Sequence, residues 1–159
     1  MIRKLMFAFL IFAAHVHAAH ATTLLGLTIT GAMATTTSPL LQTKDWAPEN
    51  LTVQCNFTYG SGGTSADAYV QTPTDCGTTW VDIAQCHFTL SSVRQLYNLS
   101  ALTPVTTAYT PTDGALTANA TKDGLLGSRY RVKYTTSGTY AGNTTLAIDV
   151  ITGRSRTQP

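Results

Sequence analysis

Apolar and polar residues alternate strictly along two segments of the chain. In Leu51-Thr-Val-Gln-Cys-Asn-Phe57 the positions Leu51, Val53, Cys55 and Phe57 share one side, and Thr52, Gln54 and Asn56 share the other. In Thr145-Leu-Ala-Ile-Asp-Val150 the set Leu146, Ile148 and Val150 opposes Ala147 and Asp149. A period of two describes an extended strand with one dry and one wet face, the usual pattern of antiparallel sheets. Further strands are expected over 22–30, 66–72, 79–90, 94–98 and 129–136, where Val, Ile, Thr and aromatic residues concentrate. Turn residues punctuate them at 59–63 (Tyr-Gly-Ser-Gly-Gly), 73–78, 111–114 (Pro-Thr-Asp-Gly), 122–124 (Lys-Asp-Gly) and 137–138 (Ser-Gly). No stretch carries a period of 3.6 residues, and 91–99 has room for a turn or two of helix at most.

Short strands separated by Gly, Pro and Asp turns predict an all-β fold, an antiparallel β-sandwich of jelly-roll-like form. The chain of 159 residues fits one such domain, expected over 22–152 and followed by a flexible basic tail at 153–159. The segment 38–50, with Pro39 and Pro48, is expected to cross from one sheet edge to another, with Trp46 capping an end of the core. Residues 1–21 differ in kind. Arg3 and Lys4 precede an apolar run over 5–14, and Val16-His-Ala18 and Ala19-His-Ala21 follow as small-x-small patterns. That is the layout of a secretory signal peptide, too short to span a bilayer. An extended start site upstream of the domain is the other reading, with Met33 as one alternative start.

Arg3 and Lys4 account for the whole formal excess of +2, so the remainder of the chain is neutral. A nucleic-acid binder would carry a dense basic footprint. The candidates here are few: Arg129, Arg131, Lys133, Arg154 and Arg156. Cys55, Cys76 and Cys86 form an odd set without Cys-x-x-Cys spacing, so no zinc cluster is indicated and at most one bridge can form. Cys55 and Cys86 lie in strand-like runs and are expected as buried free thiols, with Cys76 in a turn.

Catalytic signatures are absent from the sequence. His15, His17 and His20 fall in the leader, which leaves His87, and there is no nucleophile elbow, zinc-protease helix or phosphate-cradling loop. The acids Asp67, Asp75, Asp82, Asp113, Asp123 and Asp149 are scattered, without the dense oxygen ligands of a calcium loop. No catalytic residue, metal site or cofactor is assigned. Asn50, Asn56, Asn98, Asn119 and Asn143 each begin an Asn-x-Ser/Thr triplet, which in a chain so rich in threonine carries little weight.

The pattern Asp75-Cys-Gly-Thr-Thr-Trp80 resembles an Asp-box hairpin, in which the carboxylate accepts backbone N–H groups, glycine takes a positive φ and the indole covers the hairpin base. Asp75, Gly77, Thr79 and Trp80 match that motif, whereas Pro73 stands where Ser or Thr is usual. One copy implies a structural turn. Arg129, Arg131 and Lys133 alternate with Tyr130, Val132 and Tyr134, placing three cations on one side of a strand as a solvated face, an assembly surface or a protected edge.

The stretch from about 41 to 150 resembles small virion-associated proteins of tailed bacteriophages and prophages. The residues that carry the likeness are Leu51-Thr-Val-Gln-Cys-Asn-Phe-Thr-Tyr-Gly-Ser-Gly-Gly63, Ala68-Tyr-Val-Gln-Thr72, Thr79-Trp80, Gly127-Ser-Arg-Tyr-Arg-Val-Lys-Tyr134 and Gly138-Thr-Tyr140. The likeness implies a non-enzymatic β-sandwich that assembles with other virion proteins or with itself in a head, neck or tail. Tyr59, Trp46, Arg129, Arg131 and Lys133 are the expected interaction surface. The leader departs from that pattern, because such components are normally assembled in the cytoplasm. It raises the alternative of a periplasmic or secreted module that binds glycans or surfaces through Trp46, Trp80, Tyr59 and Tyr140.

Overall fold

A computed structural model describes residues 21–43, 47–75 and 77–153. The leader, Trp46, Cys76 and the basic tail from 154 onward lie outside the described residues. In chain order the strands are β1 (Ala21–Ile29), β2 (Thr36–Thr37), β3 (Leu41–Gln42), β4 (Asn50–Thr58), β5 (Ser61–Gly62), β6 (Ser65–Pro73), β7 (Trp80–Phe88), β8 (Val93–Ser100), β9 (Arg129–Ser137), β10 (Tyr140–Ala141) and β11 (Thr144–Gly153). The two alternating segments that open the sequence reading are β4 and β11, which pair antiparallel with Ile148 opposite Cys55 and Val150 opposite Val53. Their dry sides therefore merge. Where a turn of helix had room, the chain forms strand from Val93 to Ser100, because its inward positions find partners across the sheet, Leu99 against Leu51 and Tyr97 against Val53.

All ladders are antiparallel, and they form two main sheets. The first runs β1-β11-β4-β8; the second runs β2-β9-β6-β7, with β3 continuing β2 along the same strand, β9. Counting β2 and β3 as one broken strand, this is the order of a double Greek-key jelly roll. The chain is still at the edge of the second sheet at Thr43, whose N donates to Ser128 O at 2.8 Å, and from Asn50 it forms an interior strand of the first, β4, between β11 and β8.

The sheets face each other across one core. Leu51, Val53, Phe57, Leu146, Ile148 and Val150 from the first meet Ala68, Val70, Ile83, Phe88, Tyr130 and Val132 from the second, all buried. Each large side chain so removed from water contributes roughly 1.5–3 kcal/mol relative to exposure. Phe57 and Phe88 stack at 5.0 Å between centroids, and Tyr140 meets Phe57 edge-on at 6.1 Å.

The expectation of free thiols at Cys55 and Cys86 is overturned: they form a disulfide, with Cα atoms 6.5 Å apart and 31 residues of sequence separation. Cys55 lies on β4 and Cys86 on β7, so the bond ties one sheet to the other. Sequence spacing could not show this. The pairing depends on which strands face across the core, and alternation states only that a side chain points inward.

Candidate functional site

The two sheets differ in what covers them. On the second, the outward residues of β9, β6 and β7 form rows, Arg131–Gln71–Asp82 and then Lys133–Tyr69–Gln85. A shift in register between Val70 and Gln71 sets Gln71 opposite Asp82. Over these rows lies the long connection between β8 and β9, residues 101–128. Asp82 is fully buried, and its carboxylate accepts from Gln71 Nε2 at 2.7 Å, Gly114 N at 2.8 Å, Ala115 N at 3.0 Å and Leu116 N at 3.2 Å. A buried carboxylate is tolerated only when its lone pairs are met. Here the connection supplies the donors.

Around Asp82 the same connection is fastened repeatedly. Gln71 Nε2 also donates to Asp113 Oδ1 at 2.7 Å, Lys133 Nζ donates to Asp113 Oδ1 at 3.0 Å, and Arg131 Nε donates to Gln71 Oε1 at 2.8 Å. The Arg131 guanidinium rests 4.2 Å from the centre of the Trp80 ring. Burial pushes the Asp113 carboxyl up, but Gln71, Lys133 and Arg131 outweigh it and hold the group below the usual aspartate range. Along the outer margin of β7, Asp82 N donates to Thr112 O, Gln85 N to Ala120 O and Lys122 N to Ile83 O. The connection thus closes that edge, and the opposite margin of the sheet is the pair of short strands β2 and β3 along β9.

Of the residues singled out in the sequence, Trp80, Arg131 and Lys133 meet in this cluster. Arg129 begins β9 beside Gln42 of β3, so the three cations lie on a strand interior to its sheet, not at an edge. Asp75 Oδ1 accepts from Thr78 N at 3.0 Å and Thr79 N at 2.6 Å; the Thr79 side chain first, and then these N–H groups, hold its carboxyl below the ordinary range, and Gly77 has a φ of 106°. This turn lies at the end of the sandwich where the connection departs. Tyr59 lies at the opposite end, half-buried, with its N donating to Ser92 Oγ at 2.8 Å. Tyr140, expected among the glycan-recognising aromatics, is instead fully buried. Gly63 lies so close over its ring that a Cβ there would overlap it, which explains why the loop needs glycine.

From the sequence, Asp82 and Asp113 stand only among the scattered acids, and Gln71 and Gln85 carry no assigned role. The available signal was a polar residue, Asp82, inside an otherwise apolar run, Val81-Asp-Ile-Ala84. His87 Nδ1 lies 2.7 Å from Asp67 Oδ1, which also accepts from Gln85 Nε2 at 2.8 Å. These groups are engaged with each other along the sheet. A shallow groove of about 340 Å³ lies beside the connection, lined by Val81, Val105, Tyr109, Pro111 and Leu125, with no carboxylate, histidine, lysine or arginine on its walls.

Among the described residues no segment covers the outer face of the first sheet. Its outer face carries Thr23, Gly26 and Thr28 from β1, Thr145, Ala147 and Asp149 from β11, Thr52, Gln54 and Asn56 from β4, and Arg94, Leu96 and Asn98 from β8. A hydrogen-bonded row crosses all four strands: Thr23 Oγ1 donates to Asp149 Oδ1 (2.6 Å), Asn56 Nδ2 to Asp149 Oδ2 (3.5 Å), and Arg94 Nε to Asn56 Oδ1 (2.9 Å). Strands β1 and β8 are its margins, and among the described residues each pairs with a single strand. Small side chains and unpaired strand margins make a flat surface suited to another polypeptide. Neither protein-family models, nor the curated proteins, nor the solved structures contain a match to this chain.

Proposed function

We propose that this chain is a non-enzymatic assembly subunit of a phage or prophage particle, meeting its neighbours through the β1-β11-β4-β8 sheet. The observation that carries the reading is the asymmetry of the sandwich: one sheet has its β7 edge and part of its outer face covered by the long connection and ends at the other side in two short strands, whereas among the described residues no segment covers the outer face of the other sheet or pairs with the outer side of β1 or of Arg94–Asn98. A monomer gains nothing from two open margins, which invite unwanted pairing unless a partner takes them. The jelly-roll strand order supports the reading, as does the likeness of residues 41–150 to virion-associated proteins. The carboxylate most deeply placed, Asp82, has its acceptor capacity filled by backbone and Gln71 donors, which suits a fastening role and not proton transfer.

Purified particles from the source, digested and read by mass spectrometry, should contain this polypeptide in stoichiometric amount. Repeated absence from intact particles removes the proposal. A second reading, an exported surface-binding module, draws on the Cys55–Cys86 bridge, because disulfides form and persist in oxidising compartments. N-terminal sequencing discriminates the two: processing after Ala18 or Ala21 favours export, and a start inside the chain favours the particle.

A further inference from the structure

We propose that β8 pairs with β8 of a second copy of this chain, antiparallel, about a two-fold axis through Leu96. The inference deepens the assembly reading by naming a partner for the open sheet, and it rests on that reading for its setting. In an antiparallel ladder alternate residues bond to one neighbour and the rest face away. Ala101 N donating to Glu49 O, in register with Leu51 opposite Leu99 and Val53 opposite Tyr97, shows that the odd-numbered residues bridge those strands. The backbone groups of Arg94, Leu96 and Asn98 therefore point outward. Ser100 continues the series, and there the outward groups are already occupied: its N donates to Asp123 Oδ1 at 2.8 Å and its O accepts from Gly124 N at 2.9 Å.

Charge and occupancy select the register. An axis through Arg94 would oppose two guanidinium groups, and an axis through Asn98 would bring Leu96 against Ser100, whose outward bonds are spent. An axis through Leu96 sets Arg94 opposite Asn98 and Leu96 opposite itself, and each pair can exchange two backbone bonds. The exposed leucines obey the same symmetry. Leu90 is 55% exposed, Leu96 62% and Leu102 70%, spaced six apart, so the axis brings Leu90 of one copy toward Leu102 of the other. The other margin, β1, is less suited, because a register shift between Thr23 and Leu25 interrupts its ladder, and such bulges blunt edges.

The full chain should sediment as a dimer at micromolar concentration. Leu96→Lys, which places like charges on the axis, should weaken dimerisation by about tenfold or more while far-UV circular dichroism is unchanged. In a Cys76→Ser background, Leu96→Cys should give a disulfide-linked dimer under mild oxidation, and Arg94→Cys should not. A monomer throughout, a dimer indifferent to Leu96→Lys, or equal cross-linking at both positions overturns the inference. If the dimer fails while the chain still copurifies with particles, this pairing alone falls. If the dimer forms in a chain absent from particles, the assembly reading falls and the pairing stands.

Discussion

The two sheets of this sandwich share a core and little else. Outside the core, β9, β6 and β7 carry a buried carboxylate, two buried glutamines and paired cations under a long connection, while β1, β11, β4 and β8 carry small hydroxyl and amide side chains in the open. Stability is concentrated on one side and availability on the other. A polar group locked by its own chain serves folding, whereas a strand margin left unpaired is kept for something outside the molecule.

The contrast breaks most visibly at Asp82. Asp82→Ala leaves one of the two Nε2 hydrogens of Gln71 and the N–H groups of Gly114, Ala115 and Leu116 without their acceptor under the connection, and the expected cost is about 3–5 kcal/mol in urea denaturation. A loss below about 1 kcal/mol would mean that other contacts hold the connection. Next in size is the bridge between the sheets. Cys86→Ala should cost roughly 2–4 kcal/mol, and the mass of the intact wild-type protein should rise by two hydrogen atoms when a thiol reductant is added after unfolding.

Acid offers a gentler probe of the covered side. The folded-state pKa of Asp113 lies below 3.8, so its contribution is present above that pH and is lost as the pH falls through the folded value. Fluorescence of Trp80, stacked on Arg131 beside Asp113, should therefore change below pH 3.8 in wild type but not follow the same course in Asp113→Asn. On the open side, Gln54→Ala and Thr52→Ala should leave stability within about 0.5 kcal/mol of wild type. A larger effect there would mean that the exposed face also holds the fold together.

Strands β4 and β11 were legible because alternation is set by burial on one side, and every other long strand could be located from β-formers between turns. Their order could not be read. Nothing local in Val93–Ser100 says that it lies beside β4, and nothing in Cys55 says that Cys86 faces it. The candidate site was legible in fragments: Trp80, Arg131 and Lys133 stood out as side chains, but their meeting with Asp113 depends on a connection returning over the sheet. Asp82 reads as an outward polar residue until the shift at Gln71 and the covering segment bury it.

Ala21 of β1 lies opposite Ile151 of β11, so whatever precedes the domain and whatever follows it leave from the same corner. Pulled apart by those two points, the body would be loaded as a zipper, shedding β1 from β11 one rung at a time. The extension recovered in a single-molecule tether would then fall short by the stretch enclosed between Cys55 and Cys86, and a reducing agent would release it.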